Sequence, residues 1–293
     1  MRIDRLLAGL CLAMPLACAS SSASLHERAP EHASLTREPE RAEGTALKVM
    51  TFNIQSGLRG LDKVAEVIRT EAPDIVALQE VDVGSVRGGL KNQPEELSRL
   101  TGLPFHHHFR TTTLSGGDYG VALLSRYPVV SLEQHPLPVA SGAEPRTVAR
   151  AVLDVGGQEV SVYVTHLTRR PFNNALRMRQ SAAILALMNQ DARPKLLMGD
   201  LNDTPESGAL RLFKRELMDV FAQRGQGPAI TYPLPLIPSL RIDYVLACAQ
   251  FQPRSSRVLR VDASDHYPVV AELSLLGHPA AQAPAVVTAA STP

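Results

Sequence analysis

Eight polar residues have the types and the placing to do hydrolytic chemistry: Asn53, Glu80, His166, Asp200, Asn202, Asp243, Asp265 and His266. Nearly every one stands at the end of a short apolar run. Asn53 follows Val49-Met50-Thr51-Phe52, Glu80 follows Ile75-Val76-Ala77-Leu78-Gln79, and His166 follows Val162-Tyr163-Val164-Thr165. Asp200 and Asn202 follow Leu196-Leu197-Met198-Gly199, and Asp265-His266 precede Tyr267-Pro268-Val269-Val270. Asn and Asp favour turns for backbone reasons, so any one of these alone is an ordinary strand-end residue. Together they carry more. Glu80 and Asp265 are hard oxygen ligands of the kind that magnesium or manganese takes in small number, with waters and phosphate oxygens completing the octahedron. The two histidines are too few and too poorly spaced for a closed zinc site. His106-His107-His108 offers another cluster, but consecutive strand residues alternate faces and cannot converge on one ion.

The elements that must position these residues are strands first. Apolar strand-like runs recur at Leu47–Ile54, Ile75–Leu78, Val121–Leu124, Val160–Val164, Lys195–Met198, Ile242–Leu246 and Val269–Leu273. Helical patterns interrupt them only at Leu61–Thr70, Glu95–Leu100, Asn174–Met188 and Gly208–Phe213. Strict strand-helix alternation is absent, and so is a Gly-rich turn after a strand, which excludes a doubly wound dinucleotide-binding sheet. Two packed sheets with helices outside suit the pattern, and strands then deliver the polar residues to one edge.

A 293-residue chain with 44% hydrophobic content buries a substantial core. Its 30 basic and 29 acidic residues nearly cancel, so no global cationic field holds long nucleic acid or an anionic bilayer. Aromatic content of 4% without Trp leaves little for base-stacking platforms or an aromatic membrane-entering loop. Residues 1–19 read as an export signal: Arg2 and Arg5, an apolar stretch from Leu6 to Ala17, then Ala17-Cys18-Ala19. Two routes are open there, simple cleavage or a lipid anchor on Cys18; Pro15 stands where lipoproteins usually carry Leu. Both place the protein outside the cytoplasm, secreted, periplasmic or attached to the cell envelope. Residues 20–46 read as a flexible linker, 47–276 as one catalytic domain and 277–293 as a disordered tail. Beyond the signal only Cys248 remains, in the run Val245-Leu246-Ala247-Cys248-Ala249, where it reads as a small buried hydrophobe.

Seven short strings together resemble the endonuclease/exonuclease/phosphatase superfamily. They are Thr51-Phe52-Asn53-Ile54, Leu78-Gln79-Glu80-Val81, Tyr119 to Arg126, Thr165-His166-Leu167, Gly199-Asp200-Leu201-Asn202, Arg241-Ile242-Asp243-Tyr244-Val245 and Ser264 to Val269. Each is weak alone; their joint order and spacing from about Leu47 to Leu276 is specific. The resemblance implies an α/β fold, a four-layer α/β/β/α sandwich of two packed mixed sheets flanked by helices. It implies a Mg2+ or Mn2+ cofactor with Glu80 as principal ligand and Asn53 and Asp265 beside it. Asp200 and Asn202 would line the point where water attacks phosphorus. His266 would take or hold the water's proton with Asp243 fixing its tautomer. His166 would protonate the leaving oxygen or stabilise the phosphoryl oxygens, with Asp118 a candidate to orient it. Arg146 resembles an arginine that approaches the phosphate from a neighbouring strand. Val121 stands where many relatives carry Asn, so no substrate contact is transferred to it.

The segment Val83–Glu96 has no regular period and reads as a loop over the site; its Arg87, and Arg169-Arg170 past His166, are candidates to hold a negatively charged substrate. The substrate expected is a phosphate ester, whether nucleic acid, a phospholipid headgroup of sphingomyelin or phosphoinositide type, or a soluble phosphodiester; no obligate protein partner is evident. A catalytically inactive binding module is the rival from another class, and it conflicts with the presence of both Glu80 and Asp265-His266. A serine hydrolase lacks its Gly-x-Ser-x-Gly elbow.

Overall fold

The computed structural model describes residues 44–169, 173–234 and 239–277. The signal, Cys18, nearly all of the linker, Arg170 and the tail from 278 onward lie outside the described residues. Among the described residues, thirteen strands form two sheets. They are β1 (Thr45–Asn53), β2 (Ile75–Val83), β3 (Phe105–Leu114), β4 (Gly117–Ser125), β5 (Val129–Pro136), β6 (Thr147–Val155), β7 (Gln158–His166), β8 (Lys195–Asp200), β9 (Met218–Asp219), β10 (Gly225–Gln226), β11 (Asp243–Ala247), β12 (Phe251–Val258) and β13 (Val269–Leu275). One sheet runs β10-β12-β13-β1-β2-β4-β3 and the other β5-β6-β7-β8-β11-β9, each with parallel and antiparallel pairs.

Strand alternation makes the layers. In β1, Leu47 and Val49 enter the core shared with the second sheet, while Met50 and Phe52 face the other way, into a second cluster with Val64, Ala65 and Ile68. β2 divides likewise, Ile75 and Ala77 against Val76 and Leu78. The helices α1 (Leu61–Glu71) and α2 (Gln93–Thr101) therefore cover the first sheet, Leu61, Val64, Ala65 and Ile68 supplying a stripe at helical spacing. Across the second sheet, α3 (Asn174–Met188) and α4 (Gly208–Phe213) contribute Ile184, Leu185, Met188, Leu210 and Phe213 to the large core. The short helix α5 (Val220–Arg224) joins β9 to β10. This is the expected four-layer α/β/β/α sandwich.

Every strand and helix read from the sequence is present, several of them longer than expected. α2 starts at Gln93, capped by the Asn92 side chain, so the irregular loop over the site is confined to residues 84–92. β3, β5, β6, β12 and the two-residue β9 and β10 were not among the named runs. β3 and β5 are edge strands with half their residues in solvent, and polar side chains there blur the alternation. In β6 and β12 the arginines Arg150, Arg254 and Arg257 interrupt it.

One ion cluster fastens α1 to the first sheet. Glu71 ends the helix, where its charge opposes the macrodipole. Arg257 of β12 holds it bidentately at 2.9 and 2.5 Å, and Lys48 of β1 lies 3.2 Å away. The Arg257 hydrogen bonds, outweighing burial and aided by Lys48, hold its carboxyl below the usual range. A depressed folded-state pKa contributes stability that is complete above the unfolded value near 4.5 and lost as pH falls through the folded value. Glu71→Gln should lower stability at pH 7 by about 1 kcal/mol. In urea titrations the gap between parent and variant should close as pH drops below 4; an unchanged gap would contradict this account.

Candidate active site at the shared edge of the sheets

Strand direction brings the candidate residues together. β1 and β2 are parallel, β7 and β8 are parallel, and β13 and β11 run antiparallel to β1 and β8. The C-terminal ends of the first four and the N-terminal ends of the last two thus share one edge. On the second sheet His166, Asp200 and Asp243 lie side by side in register. The neighbouring Gly199 permits this: a Cβ there would sit 1.9 Å from the Thr165 carbonyl oxygen. On the first sheet, a bulge between Gln79 and Val81 puts Glu80 at φ +55°, out of the ladder and toward the edge. Asn202 also has left-handed backbone, at φ +49°.

Asn53 joins the two sheets. Its fully buried amide nitrogen donates to Glu80 Oε1 at 3.2 Å and to Asp200 Oδ2 at 3.1 Å, while its Oδ1 accepts from the Gln55 amide. Asp243 Oδ2 lies 2.9 Å from His266 Nδ1, fixing the ring so that Nε2 faces Asp200 Oδ2 at 3.8 Å. His166 Nε2 points at the same oxygen, 3.4 Å away. Arg146 lies behind it, 6% exposed, and its Nη1 donates to His166 Nδ1 at 3.3 Å. Because a guanidinium only donates, neutral His166 carries its proton on Nε2, facing the site.

The electrostatics follow from burial. Desolvation, then the Arg146 charge, push His166 well below its ordinary range, so it is a neutral hydrogen-bond donor. Asp200 is raised to about 7 by burial and by Asp243. Glu80 is raised by burial, with Asp265 adding to it against the Asn53 hydrogen bond. Burial works against the charge of His266, but Asp243 and Asp200 prevail and raise it to about 10. Asp200, Asp243 and His266 offer ligand atoms within 4.8 Å of one another, and Asp243 Oδ1 and His166 Nε2 have no hydrogen-bond partner among the described residues. Carboxylates held above their usual range beside unpartnered polar atoms form a donor set that could hold a hard cation.

The model of the endonuclease/exonuclease/phosphatase family matches residues 50–266, which spans all eight. The chain belongs to that family. Its members are phosphoesterases, in general dependent on divalent metal. Over 260 residues the chain is 31% identical to the uncharacterized protein YbhP of Escherichia coli strain K12, covering 81% of this chain and all of that one. The crystal structure of an endonuclease/exonuclease/phosphatase from Beutenbergia cavernae is similar at 32% identity and a TM-score of 0.67, over 80% of this chain and 73% of that one. The human Nocturnin catalytic domain with bound sulfate shares the fold at 19% identity and a TM-score of 0.65, over 82% and 99%.

Other family-type residues fall differently. Asp265 is half-buried beside the Ser264 hydroxyl, 3.2 Å from its Oδ1, and that hydroxyl also lies 2.7 Å from the Asn53 carbonyl oxygen. Arg87 is not a free substrate clamp: its Nε and Nη2 donate to the buried Asp82 carboxylate at 2.8 and 2.9 Å, which tethers the 84–92 loop. Asp118 does not orient His166 but pairs with Arg110 at 2.7 Å; Arg146 Nη1 also donates to Glu144 Oε1 at 2.7 Å. Arg169 is exposed, and its charge bears on His166. His106, His107 and His108 do not converge; His108 bonds the Val81 carbonyl and His107 packs on Phe109. Cys248 is buried, as expected.

Three contributors were not among the candidates named from the sequence. Thr231 is fully buried, and its Oγ1 accepts from the amides of Ile242 and Asp243. Tyr232 packs on His266 with ring centroids 4.7 Å apart. Asp82, two residues past Glu80, was the one acidic hint available.

The close approach at Gly199 gives a direct check. Gly199→Ala must push β7 from β8 and separate His166 from Asp200, with an overpacking cost of about 3 kcal/mol. Urea unfolding should register that loss; a variant as stable as the parent would refute the close packing.

Proposed function

We propose that this protein is an exported magnesium- or manganese-dependent phosphoesterase, which hydrolyses a phosphodiester or phosphomonoester by in-line attack of water. The observation that carries this reading is the meeting of half-buried Glu80 with buried Asp200, Asp243, His266, His166 and Arg146 at one edge. The donor set suits a hard cation: Glu80 and Asp265 would hold it, with Asp200 adjoining, while Asn53, expected beside them as a ligand, turns its amide nitrogen to the acids and its Oδ1 to the Gln55 amide and so holds Glu80 and Asp200 in place. When bound, such a cation neutralises phosphate charge, steadies the leaving oxygen and offsets the carboxylate field that keeps His266 protonated.

The chain's own groups divide the remaining work. Arg146 and the Nε2–H of His166 donate to phosphoryl oxygens as negative charge grows on them. Of the two roles expected of His166, its depressed pKa favours this donor role over that of a charged acid. His266 receives the proton of the attacking water at Nε2 while Asp243 holds its Nδ1–H. Asn202, beside Asp200, lines the path of the water. Export rests on the signal-like residues 1–19, and a lipid anchor on Cys18 remains part of the proposal.

A second reading of the substrate is favoured by the rim. Leu58, Val86 and Leu90 are 55%, 72% and 71% exposed on the turns that follow β1 and β2, and Leu114, at the end of β3, is 40% exposed. Apolar side chains beyond Asn53 and Glu80 suit an ester with a hydrocarbon part better than duplex DNA.

Chelator should silence hydrolysis of bis(4-nitrophenyl) phosphate, and magnesium or manganese should restore it. Glu80→Gln, His166→Ala and His266→Ala should each lower kcat by roughly 10²–10⁴-fold in folded protein. Parent-like rates in any of them would sink the assignment. Plasmid DNA, RNA and sphingomyelin vesicles, each with and without magnesium, decide the substrate class by relative rate.

A further inference from the structure

The first half of α3 buries polar side chains where a helix covering a sheet ordinarily presents apolar ones. Arg177, Gln180 and Ser181 are all buried there. Arg177 Nε donates to Asp203 Oδ2 at 2.9 Å and its Nη1 to the Thr168 carbonyl at 3.3 Å. One turn on, Gln180 Oε1 accepts from the Thr168 amide at 3.1 Å and its Nε2 donates to the Pro138 carbonyl at 2.9 Å. Both backbone polar groups of Thr168 are thus taken by one turn of one helix.

The bonded points are those from which the reactive residues hang. Thr168 lies two residues past His166, and the intervening Leu167 bonds Asp200 through its amide and the Asn202 side chain through its carbonyl. Asp203 adjoins Asn202, and its carbonyl accepts from the hydroxyl of Tyr244, the neighbour of Asp243. Pro138 adjoins Leu137, whose amide donates to the Arg146 carbonyl at 2.9 Å. A buried guanidinium–carboxylate pair contributes little net stability compared with well-packed apolar side chains. Stability alone therefore gives no reason for a polar face here, whereas fixing three separate loops to one rigid element does.

We propose that Arg177 and Gln180 are positioning residues, a clamp on α3 that sets His166, Asn202 and Arg146 at their mutual distances. This rests on the phosphoesterase reading for its kinetic consequence, though its geometric consequence does not. Loss of the clamp lets the exit of β7 drift from the exit of β8, so the donors miss the phosphoryl oxygens that they meet in the transition state. The effect then falls on kcat and spares KM.

The test compares Arg177→Met, Gln180→Leu and Arg177→Lys with the parent. It reads urea midpoint, kcat and KM on bis(4-nitrophenyl) phosphate with magnesium, ring resonances of His166 in histidine-labelled metal-free protein, and exchange of the Thr168 amide. Arg177→Met and Gln180→Leu should lower kcat by about 10–100-fold with KM nearly unchanged. His166 resonances should shift or broaden, and Thr168 exchange should quicken in Gln180→Leu. Arg177→Lys, which keeps a charge for Asp203 but not both bonds, should recover part of the lost kcat, and it carries the test if Arg177→Met fails to fold. A lower urea midpoint with parent-like kcat and parent-like His166 resonances would overturn the clamp. If the parent itself cleaves no ester, the phosphoesterase reading fails, and the His166 resonances alone then decide the clamp.

Discussion

Everything at this edge depends on a carboxamide between two carboxylates. The Asn53 amide nitrogen bonds Glu80 of its own sheet and Asp200 of the facing one, so two acidic groups approach without meeting oxygen to oxygen. An amide can do this because it presents two donors from one nitrogen while carrying no charge. Its own carbonyl oxygen is held by the Gln55 amide, which keeps the nitrogen turned inward. A lysine in its place would neutralise the acids as an internal ion pair and leave no demand for an external cation. With Asn the acids stay under-compensated, and burial raises both Glu80 and Asp200 as a result.

That uncompensated charge is then divided between histidines of opposite character. His266 sits against Asp243 and near Asp200, and carboxylates on two sides hold its proton. His166 sits against Arg146, and a guanidinium at its back drives its proton off. Two imidazoles within reach of one carboxylate oxygen thereby become a charged ring held between acids and a neutral, fixed donor. Burial alone would have lowered both; the sign of the nearest charge separates them.

Much of this was legible in the sequence because strands end where polar residues begin. Apolar runs with Asn53, His166 and Asp200 at their C-terminal ends and His266 before β13 predicted a common edge, and the parallel and antiparallel pairings deliver it. What was hidden depended on contacts between segments far apart in the chain. Glu80 reaches the site through a bulge and a left-handed backbone that its flanking residues do not announce. Arg87 looked free for substrate because its acidic partner, Asp82, stands in no motif; the structure buries it near the end of β2. Asp118 seemed close to His166 by analogy, yet it lies at the exposed end of β4, where Arg110 takes it. Arg146 was singled out by resemblance alone, and its burial against His166 is a contact that no local pattern carries.

The helix α3 shows the same limit from the other side. Its sequence, with Arg177 and Gln180 among alanines and leucines, yields helical length without a clean apolar face. Read by periodicity alone it is a poorly amphipathic helix of a kind that covers a sheet weakly. Its apolar second half meets the core through Ile184, Leu185 and Met188, while its first half bonds backbone groups of loops that no strand ladder can satisfy. Loops that leave parallel strands side by side have unpaired amides and carbonyls by necessity. A site built at such an edge must supply partners for them, and a polar helical turn does so from a rigid support. The break in amphipathic pattern is therefore a consequence of where the site lies, and it marks the part of the helix nearest to the chemistry.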